Sequence, residues 1–283
     1  MTDRPALVVP FTKMNGAGND FVVLDNRFLR FSDAELEALA RRACPRRTGV
    51  GADGLLALDD ADGADFRMRY RNADGSLGTM CGNGARCLAR YAARAGLGEE
   101  AGGAVALAFE TDGGPYRATV AGRGASGPVT LDVPPPRDFG PAGLDGVLKI
   151  WTGTEHAVTF ADDVDAADLA ALGPRIRHDA AFGPAGTNAN VVQVVGPDRV
   201  RVRTYEKGVE AETLACGTGA IASAVAAALD GRIPHAGARQ RVAVEMPGGT
   251  LGVGFRLDGG SVLDLTLDGP AETVYEGTLE WRA

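Results

Sequence analysis

Two duplicated domains of mixed α/β (α+β) structure are expected from three features of this chain. The pattern Cys-Gly-x-Gly-Ala occurs at Cys81-Gly82-Asn83-Gly84-Ala85 and again, 135 positions on, at Cys216-Gly217-Thr218-Gly219-Ala220. The same offset carries Gly96 onto Gly231, Phe109-Glu110 onto Val244-Glu245, and Gly113-Gly114 onto Gly248-Gly249. With one or two residues of drift, Ser32-Asp33-Ala34-Glu35-Leu36 with Leu39 matches Asp165-Ala166-Ala167-Asp168-Leu169 with Leu172, and Leu131, Val133 and Pro136 match Leu265, Leu267 and Pro270. A repeat this long implies duplication of a whole domain, and its period is far too long for a solenoid. The third feature is size: 283 residues suit two domains, with 45% apolar and 23% charged residues as in ordinary globular proteins.

Taken in order, the chain opens with a polar, glycine-bearing segment, Lys13 to Asp20, expected as a loop ahead of a strand over Phe21 to Leu24. Ser32 with Glu35 forms a capping box before Leu36, Leu39 and Ala40, which predicts a first helix of about three turns. Strands follow at Leu55 to Leu58 and Phe66 to Tyr70, then the turn Asn72-Ala73-Asp74-Gly75, then the first cysteine motif and a helix to about Ala95. Arg86, Arg90 and Arg94 recur every fourth residue in that helix, so one face is solvated or paired. In the second copy Ala220 to Leu229 carries no charge, which predicts a helix buried on nearly all sides as the central rod of its domain. Phe109 to Gly114 and Val244 to Gly249 each read as strand, tight turn, strand. The Gly-rich Ala121 to Gly127 and the stiff Pro134-Pro135-Pro136 place the boundary near 127/128, giving domains 1–127 and 128–272.

Composition excludes several function classes. A net charge of -8 disfavours nucleic acid or an anionic membrane as main partner, since both need a basic footprint. No apolar run reaches a spanning length, and the N-terminus, with Asp3, Arg4, Pro5 and Pro10, lacks a signal-peptide layout, so a cytoplasmic location is the default expectation. Cys44, Cys81, Cys87 and Cys216 are too few and too irregularly spaced for a disulfide framework and read as free thiols. No C-x-x-C pair suggests zinc and no lysine follows either glycine run, so neither a metal nor a Walker-type phosphate site is expected. Of 29 basic residues only Lys13, Lys149 and Lys207 are lysines, leaving a pyridoxal Schiff base few anchors; no cofactor is expected. A small molecule is the expected partner, and a homodimer stays open beside a monomer.

Each cysteine motif joins a strand-like segment to a helix. Glycines let the backbone approach a ligand closely, N–H groups at a helix start form an anion site, and the helix dipole favours a thiolate there. If the domains face each other, two such starts converge on one small carboxylate with a sulfur on each side. Inverting a carbon stereocentre needs a base on one face and an acid on the other, which one thiolate and one thiol supply. The N–H donors then strengthen as the carboxylate becomes enolate-like. A lone cysteine is more often a small buried hydrophobe; two in matched settings favour chemistry. Cys44 and Cys87 lack that setting and read as core or inert residues.

These residues resemble the diaminopimelate epimerases, cofactor-independent two-cysteine amino acid epimerases. The matching segments are Lys13-Met14 with Gly16-Ala17-Gly18-Asn19-Asp20-Phe21, Asn72-Ala73-Asp74-Gly75-Ser76, Cys81 to Cys87, Asn190, Tyr205-Glu206 and Glu212 to Ala220. The resemblance implies two pseudo-symmetric domains, each a rolled, mostly antiparallel sheet around a central helix, with the active site in the cleft between them. It also implies that a C-terminal strand, about 273–283, returns to the first domain. It makes Cys81 and Cys216 the acid/base pair, with Gly82, Asn83, Gly217 and Thr218 supplying N–H groups to the reacting carboxylate. Asn19, Asn72 and Asn190 would line the rest of the pocket, with Glu206 near the ammonium.

Three positions depart from the family pattern. Its Gly-Asn-Pro-His segment reads Gly153-Thr154-Glu155-His156, the arginine after the site glutamate is Lys207, and the glutamine after Asp53 is Gly54. Lys207 offers charge but no bidentate fork to a distal carboxylate. His156 stays in register and is, with Thr154, an auxiliary candidate. The implied reaction interconverts LL- and meso-diaminopimelate in lysine and peptidoglycan precursor synthesis. An epimerase or racemase of another amino acid, such as histidine or a proline derivative, remains an alternative, as do a lyase on the same scaffold and a thiol redox sensor.

Overall fold

The computed structural model describes residues 7–234 and 237–282. The expectation about a signal peptide concerns residues 1–6 above all and so lies largely outside them. The chain divides into two compact units, Met1–Leu131 with Gly269–Ala283, and Asp132–Asp268.

The first unit runs β1 (Leu7–Gly16), β2 (Asn19–Asp25), α1 (Asn26–Leu29), α2 (Asp33–Ala43), β3 (Gly54–Asp59), β4 (Phe66–Asn72), β5 (Leu77–Gly78), α3 (Gly82–Arg94), β6 (Glu99–Ala101), β7 (Ala104–Thr111), β8 (Gly114–Ala121) and β9 (Ser126–Asp132). Strands β1 and β2 form a hairpin, β2 runs parallel to β3, β3 and β4 are antiparallel, β4 runs parallel to β7, and β7 and β8 form a second hairpin. The helix α3 packs against β1, β2, β3, β4, β7 and β8, so the sheet wraps around it. Phe21, Leu56 and Phe66, each fully buried, belong to this core.

Lys13 to Gly16 is strand and not the expected loop: Lys13 pairs with Val22 and Met14 with Phe21, and the turn shrinks to Ala17-Gly18. The polar run misled because Lys13 is buried, its ammonium donating to Gly51 O and lying 2.7 Å from Asp20. Helix α2 starts as its sequence dictates, with the Ser32–Glu35 capping box closed in both directions. The four-residue α1 precedes it and was not legible.

Along α3 the arginine row is paired rather than solvated. Arg90 is fully buried and donates to the carbonyls of Ala121, Gly122 and Pro128 at 2.9, 2.9 and 3.0 Å. Those carbonyls lie at the end of β8 (Ala121), in the Gly-rich turn that follows it (Gly122) and in β9 (Pro128). Arg86 is also fully buried, donating to Asn83 Oδ1 and Gly82 O, and only Arg94, on Glu276, reaches the surface.

The second unit repeats the plan with β10 (Arg137–Pro141), β11 (Val147–Trp151), β12 (Glu155–Phe160), α4 (Leu169–Arg177), a 3-10 turn (Ala180–Phe182), β13 (Asn188–Gly196), β14 (Arg199–Glu206), β15 (Ala211–Thr213), α5 (Gly217–Leu229), β16 (Gln240–Met246), β17 (Gly249–Asp258) and β18 (Ser261–Trp281). The pairing is the same: a β11–β12 hairpin, parallel β12–β13, antiparallel β13–β14, parallel β14–β16 and a β16–β17 hairpin. Helix α5 is buried from Gly219 through Ala228, as its lack of charge requires. Its alanines let the strands approach closely.

Strand β18 serves both units in turn. Its first part, to Asp268, pairs with β17; its last part pairs antiparallel with β1, from Asn15↔Glu272 to Leu7↔Trp281. The C-terminal strand thus returns to the first unit. One matched segment differs: α2 starts after Ser32, whereas α4 is capped by Asp168, so Asp165 to Ala167 is not helical.

Candidate functional site

Each unit builds a candidate site from the same three parts. In the first, β4 ends at Asn72, a turn leads to β5, and β5 delivers Cys81 to the start of α3. In the second, β14 ends at Glu206, a turn leads to β15, and β15 delivers Cys216 to the start of α5. The third part is a hairpin tip, Ala17-Gly18 in one unit and Thr152 to Thr154 in the other.

Each cysteine is the N-cap of its helix. Gly84 N–H donates to Cys81 Sγ at 3.5 Å and Gly219 N–H to Cys216 Sγ at 3.4 Å, while Ala85 and Ala220 N–H bond the two cysteine carbonyls. The N–H groups of Gly82 and Asn83, and of Gly217 and Thr218, head the helices at the positive end of the dipole. Sulfur is a weak acceptor as a thiol and a strong one as a thiolate, so this cap favours the charged form. Glycine is required at the capped position of α5, where a Cβ on Gly219 would lie 2.7 Å from Asn190 Oδ1.

None of the four cysteines is in a disulfide. Burial pushes Cys44 and Cys87 up to about 12, so both are inert at neutral pH.

Asn19 sits at the Cys81 sulfur. The Cys81 S–H donates to Asn19 Oδ1 at 3.6 Å, and Asn83 Nδ2 approaches the same oxygen at 3.5 Å. Asn83 is buried, its Oδ1 accepting from Arg86 at 2.7 Å, so its side chain braces the helix start. Asn72 serves the turn: Tyr70 Oη donates to its Oδ1, and its Nδ2 donates to Ser76 Oγ.

In the second unit Thr218 Oγ1 lies 3.4 Å from Cys216 Sγ, and Thr152 Oγ1 donates to Thr218 O at 2.9 Å, fastening the hairpin tip to the helix start. Thr154 donates to Glu155 Oε2 at 3.2 Å. Lys207 places its ammonium 2.6 Å from the same Glu155 oxygen, and the Lys207 contact holds that carboxyl below its ordinary range. The charge expected to read a distal carboxylate therefore has a counter-ion from within the unit. Glu206 ends β14, paired with Ala211.

Asn190 and His156 lie behind this surface, each 1% exposed. Asn190 Nδ2 donates to Ala157 O at 2.8 Å and faces His156 Nδ1 at 3.1 Å, while its Oδ1 accepts from Thr204 Oγ1. Each polar atom of Asn190 thus has a partner within its unit, beside the start of α5. Burial lowers His156 to about 3, with Lys207 adding to the effect, so the ring is neutral near pH 7. Asn188, two residues earlier, was missed: its Oδ1 accepts from Lys207 N–H and its Nδ2 donates to Glu155 O, tying the two departures together. The sequence signal was the Asn-x-Asn spacing, which puts both residues on one face of β13.

Comparison with known proteins fits this duplicated architecture. The family model described as diaminopimelate epimerase matches the chain twice, over residues 11–136 and 149–274. The chain is 41% identical to a diaminopimelate epimerase of Chlorobaculum tepidum over 94% of this chain and 99% of that one. It is 42% identical to the enzyme of that name from Desulforudis audaxviator, over 94% and 98%. Among solved structures, a phenazine biosynthesis protein of the PhzF family from Bacillus anthracis superposes with TM-score 0.72 at 15% identity, covering 96% of this chain and 99% of that one. A hydroxyproline epimerase from Agrobacterium vitis superposes with TM-score 0.67 at 15% identity, covering 98% and 93%. These two share the fold alone. With the family model matched once in each half and relatives aligned over nearly their full length, the chain belongs to the diaminopimelate epimerase family.

Proposed function

We propose that this protein interconverts LL- and meso-diaminopimelate without a cofactor, by two-base proton transfer between Cys81 and Cys216. The observation that carries the reading is that both cysteines cap glycine-rich helix starts in the same way, each with a backbone N–H on sulfur. One sulfur removes the α-proton as thiolate and the other returns a proton to the opposite face as thiol. The N–H groups of Gly82, Asn83, Gly217 and Thr218 hold the α-carboxylate and stabilise its enolate-like form in the transition state. Asn19, Asn72, Asn190 and Glu206 remain proposed contacts for the rest of the substrate, with Lys207 and Thr154 at the distal end. The substrate is a free amino acid of lysine and peptidoglycan precursor synthesis, and a cytoplasmic enzyme, monomeric or homodimeric, fits that place. No helix among the described residues is long and apolar enough to cross a membrane.

One observation favours a second reading, an epimerase of a different amino acid: Glu155 already neutralises the Lys207 ammonium. Turnover of LL-diaminopimelate in deuterated water decides between them. Inversion with solvent deuterium at the new stereocentre supports the proposal, and turnover without label rejects two-base exchange. No turnover beside activity on histidine or a proline derivative favours the second reading.

A further inference from the structure

Two positions where this chain departs from the family pattern meet in one contact. Glu155 opens β12 directly after the hairpin tip Thr152 to Thr154, and Lys207 opens the turn that leads from β14 to β15. Their charged groups lie 2.6 Å apart, and Thr154 Oγ1 donates to the same Glu155 oxygen at 3.2 Å. One buried amide fixes both backbones: Asn188 Oδ1 accepts from Lys207 N–H at 2.8 Å, and its Nδ2 donates to Glu155 O at 3.1 Å. Thr152, on Thr218 O, fastens the hairpin tip to the start of α5. The pair is thereby tied to the helix start that holds the α-carboxylate in the proposed reaction.

Stability does not explain this clamp. The Glu155 side chain is 46% exposed and that of Lys207 24%, and an ion pair open to water contributes little to folding. Openness suits a ligand instead. Lys207 gives Glu155 one of its three N–H donors, and among the described residues no other side chain takes the rest. A lone carboxylate on Lys207 would lie against the Glu155 anion, and a lone ammonium on Glu155 would lie against Lys207; like charges side by side in a binding site cost affinity. A distal end carrying both groups meets neither penalty, with its carboxylate on Lys207 and its ammonium on Glu155. The proline of the family segment has no charge to offer at this position.

We infer that Glu155 is a specificity-determining residue: with Lys207 it selects amino acids whose distal end is a zwitterion and rejects those bearing a lone carboxylate or a lone ammonium there. The inference rests on the epimerase reaction proposed above and defines the distal end of its substrates. Diaminopimelate has such an end; histidine and proline derivatives do not.

Two analogues each lack one distal group of LL-diaminopimelate: L-2-aminopimelate lacks the ammonium, and L-lysine lacks the carboxylate. Uptake of solvent deuterium at the α-carbon, followed by NMR, gives kcat/KM for each. The wild type prefers LL-diaminopimelate to either by at least about tenfold, the worth of one hydrogen bond to a charged group. Glu155→Gln keeps the shape and an acceptor for Lys207 but removes the charge. It lowers kcat/KM on LL-diaminopimelate by about tenfold and raises it on L-2-aminopimelate. Lys207→Met acts in mirror image and raises kcat/KM on L-lysine. A rise on both pimelates in Glu155→Gln would make Glu155 a mere competitor for Lys207, and an equal fall on both would make it a structural support; either overturns the inference. So does a wild type that treats LL-diaminopimelate and L-2-aminopimelate alike, a result that needs no variant to fold. A wild type that exchanges the α-proton of none of the three refutes the proposed reaction, and the inference falls with it. Exchange on LL-diaminopimelate with a preference unmoved by Glu155→Gln refutes the inference alone.

Discussion

Buried and neutral, His156 should make this protein acid-sensitive by a calculable amount. Its folded pKa is about 3 against an ordinary 6.5, with burial the main cause and Lys207 second. The hydrogen bonds agree: Asn190 spends its carbonyl on Thr204 and presents N–H to the ring, so Nδ1 must accept and the single proton sits on Nε2. Nε2 is buried without a partner, and an imidazolium would place a second N–H against Asn190. A base with a depressed folded pKa contributes stability that is full above pH 6.5 and is lost as pH falls from there toward 3, because the unfolded chain takes up the proton. At pH 5 the unfolded histidine sits about 1.5 units below its pKa, which at 1.36 kcal/mol per unit amounts to about 2 kcal/mol. His156→Asn keeps an acceptor for Asn190 and removes the titration. Urea unfolding of wild type and variant at pH 7 and pH 5 should show wild type losing about 2 kcal/mol more than the variant between them. Equal losses would mean that His156 is charged or solvated in the folded protein, and the burial argument would fail.

Other perturbations separate the remaining claims. Cys81→Ala and Cys216→Ala should each abolish epimerisation with the fold retained, measured by chiral chromatography; substantial activity in either would break the two-thiol assignment. Gly219→Ala pushes a methyl to 2.7 Å from Asn190 Oδ1 and should lower stability by about 1–3 kcal/mol, together with activity; thermal melting checks it. Arg90→Met strands the carbonyls of Ala121, Gly122 and Pro128 and should destabilise by about 1–3 kcal/mol for each one left unsatisfied, read by urea unfolding. Lys207→Arg can keep one contact to Glu155 and offer a second N–H to substrate, so activity on diaminopimelate should be kept or improved, read as an unchanged or lower KM.

Much of this was legible locally. The capping box at Ser32, the charge-free stretch in α5 and the two cysteine motifs each carry their structural reason within a few residues. The 135-residue offset carried the duplication, later visible as matching hairpins and matching parallel pairs β2–β3 and β12–β13. What misled was polarity. Lys13 to Gly16 looked like a loop because a buried lysine is rare, and only the carbonyl of Gly51 and the carboxylate of Asp20 make it tolerable. The partners of Asn190 were likewise not legible: its side chain bonds Ala157, His156 and Thr204, which its own sequence neighbours do not reveal.

The sequence by itself determined the elements, the repeat and the chemistry of a thiol at a glycine-rich helix start, because propensity, capping and period are properties of neighbours in the chain. Tertiary structure alone decided what each polar atom faces. Asn19 could have turned either end of its amide to Cys81 until Asp53, distant in sequence, fixed it; Lys207 could have been free until Glu155 neutralised it. Hydrogen bonds are short and directional, so what each polar atom faces rests on contacts that no local pattern encodes.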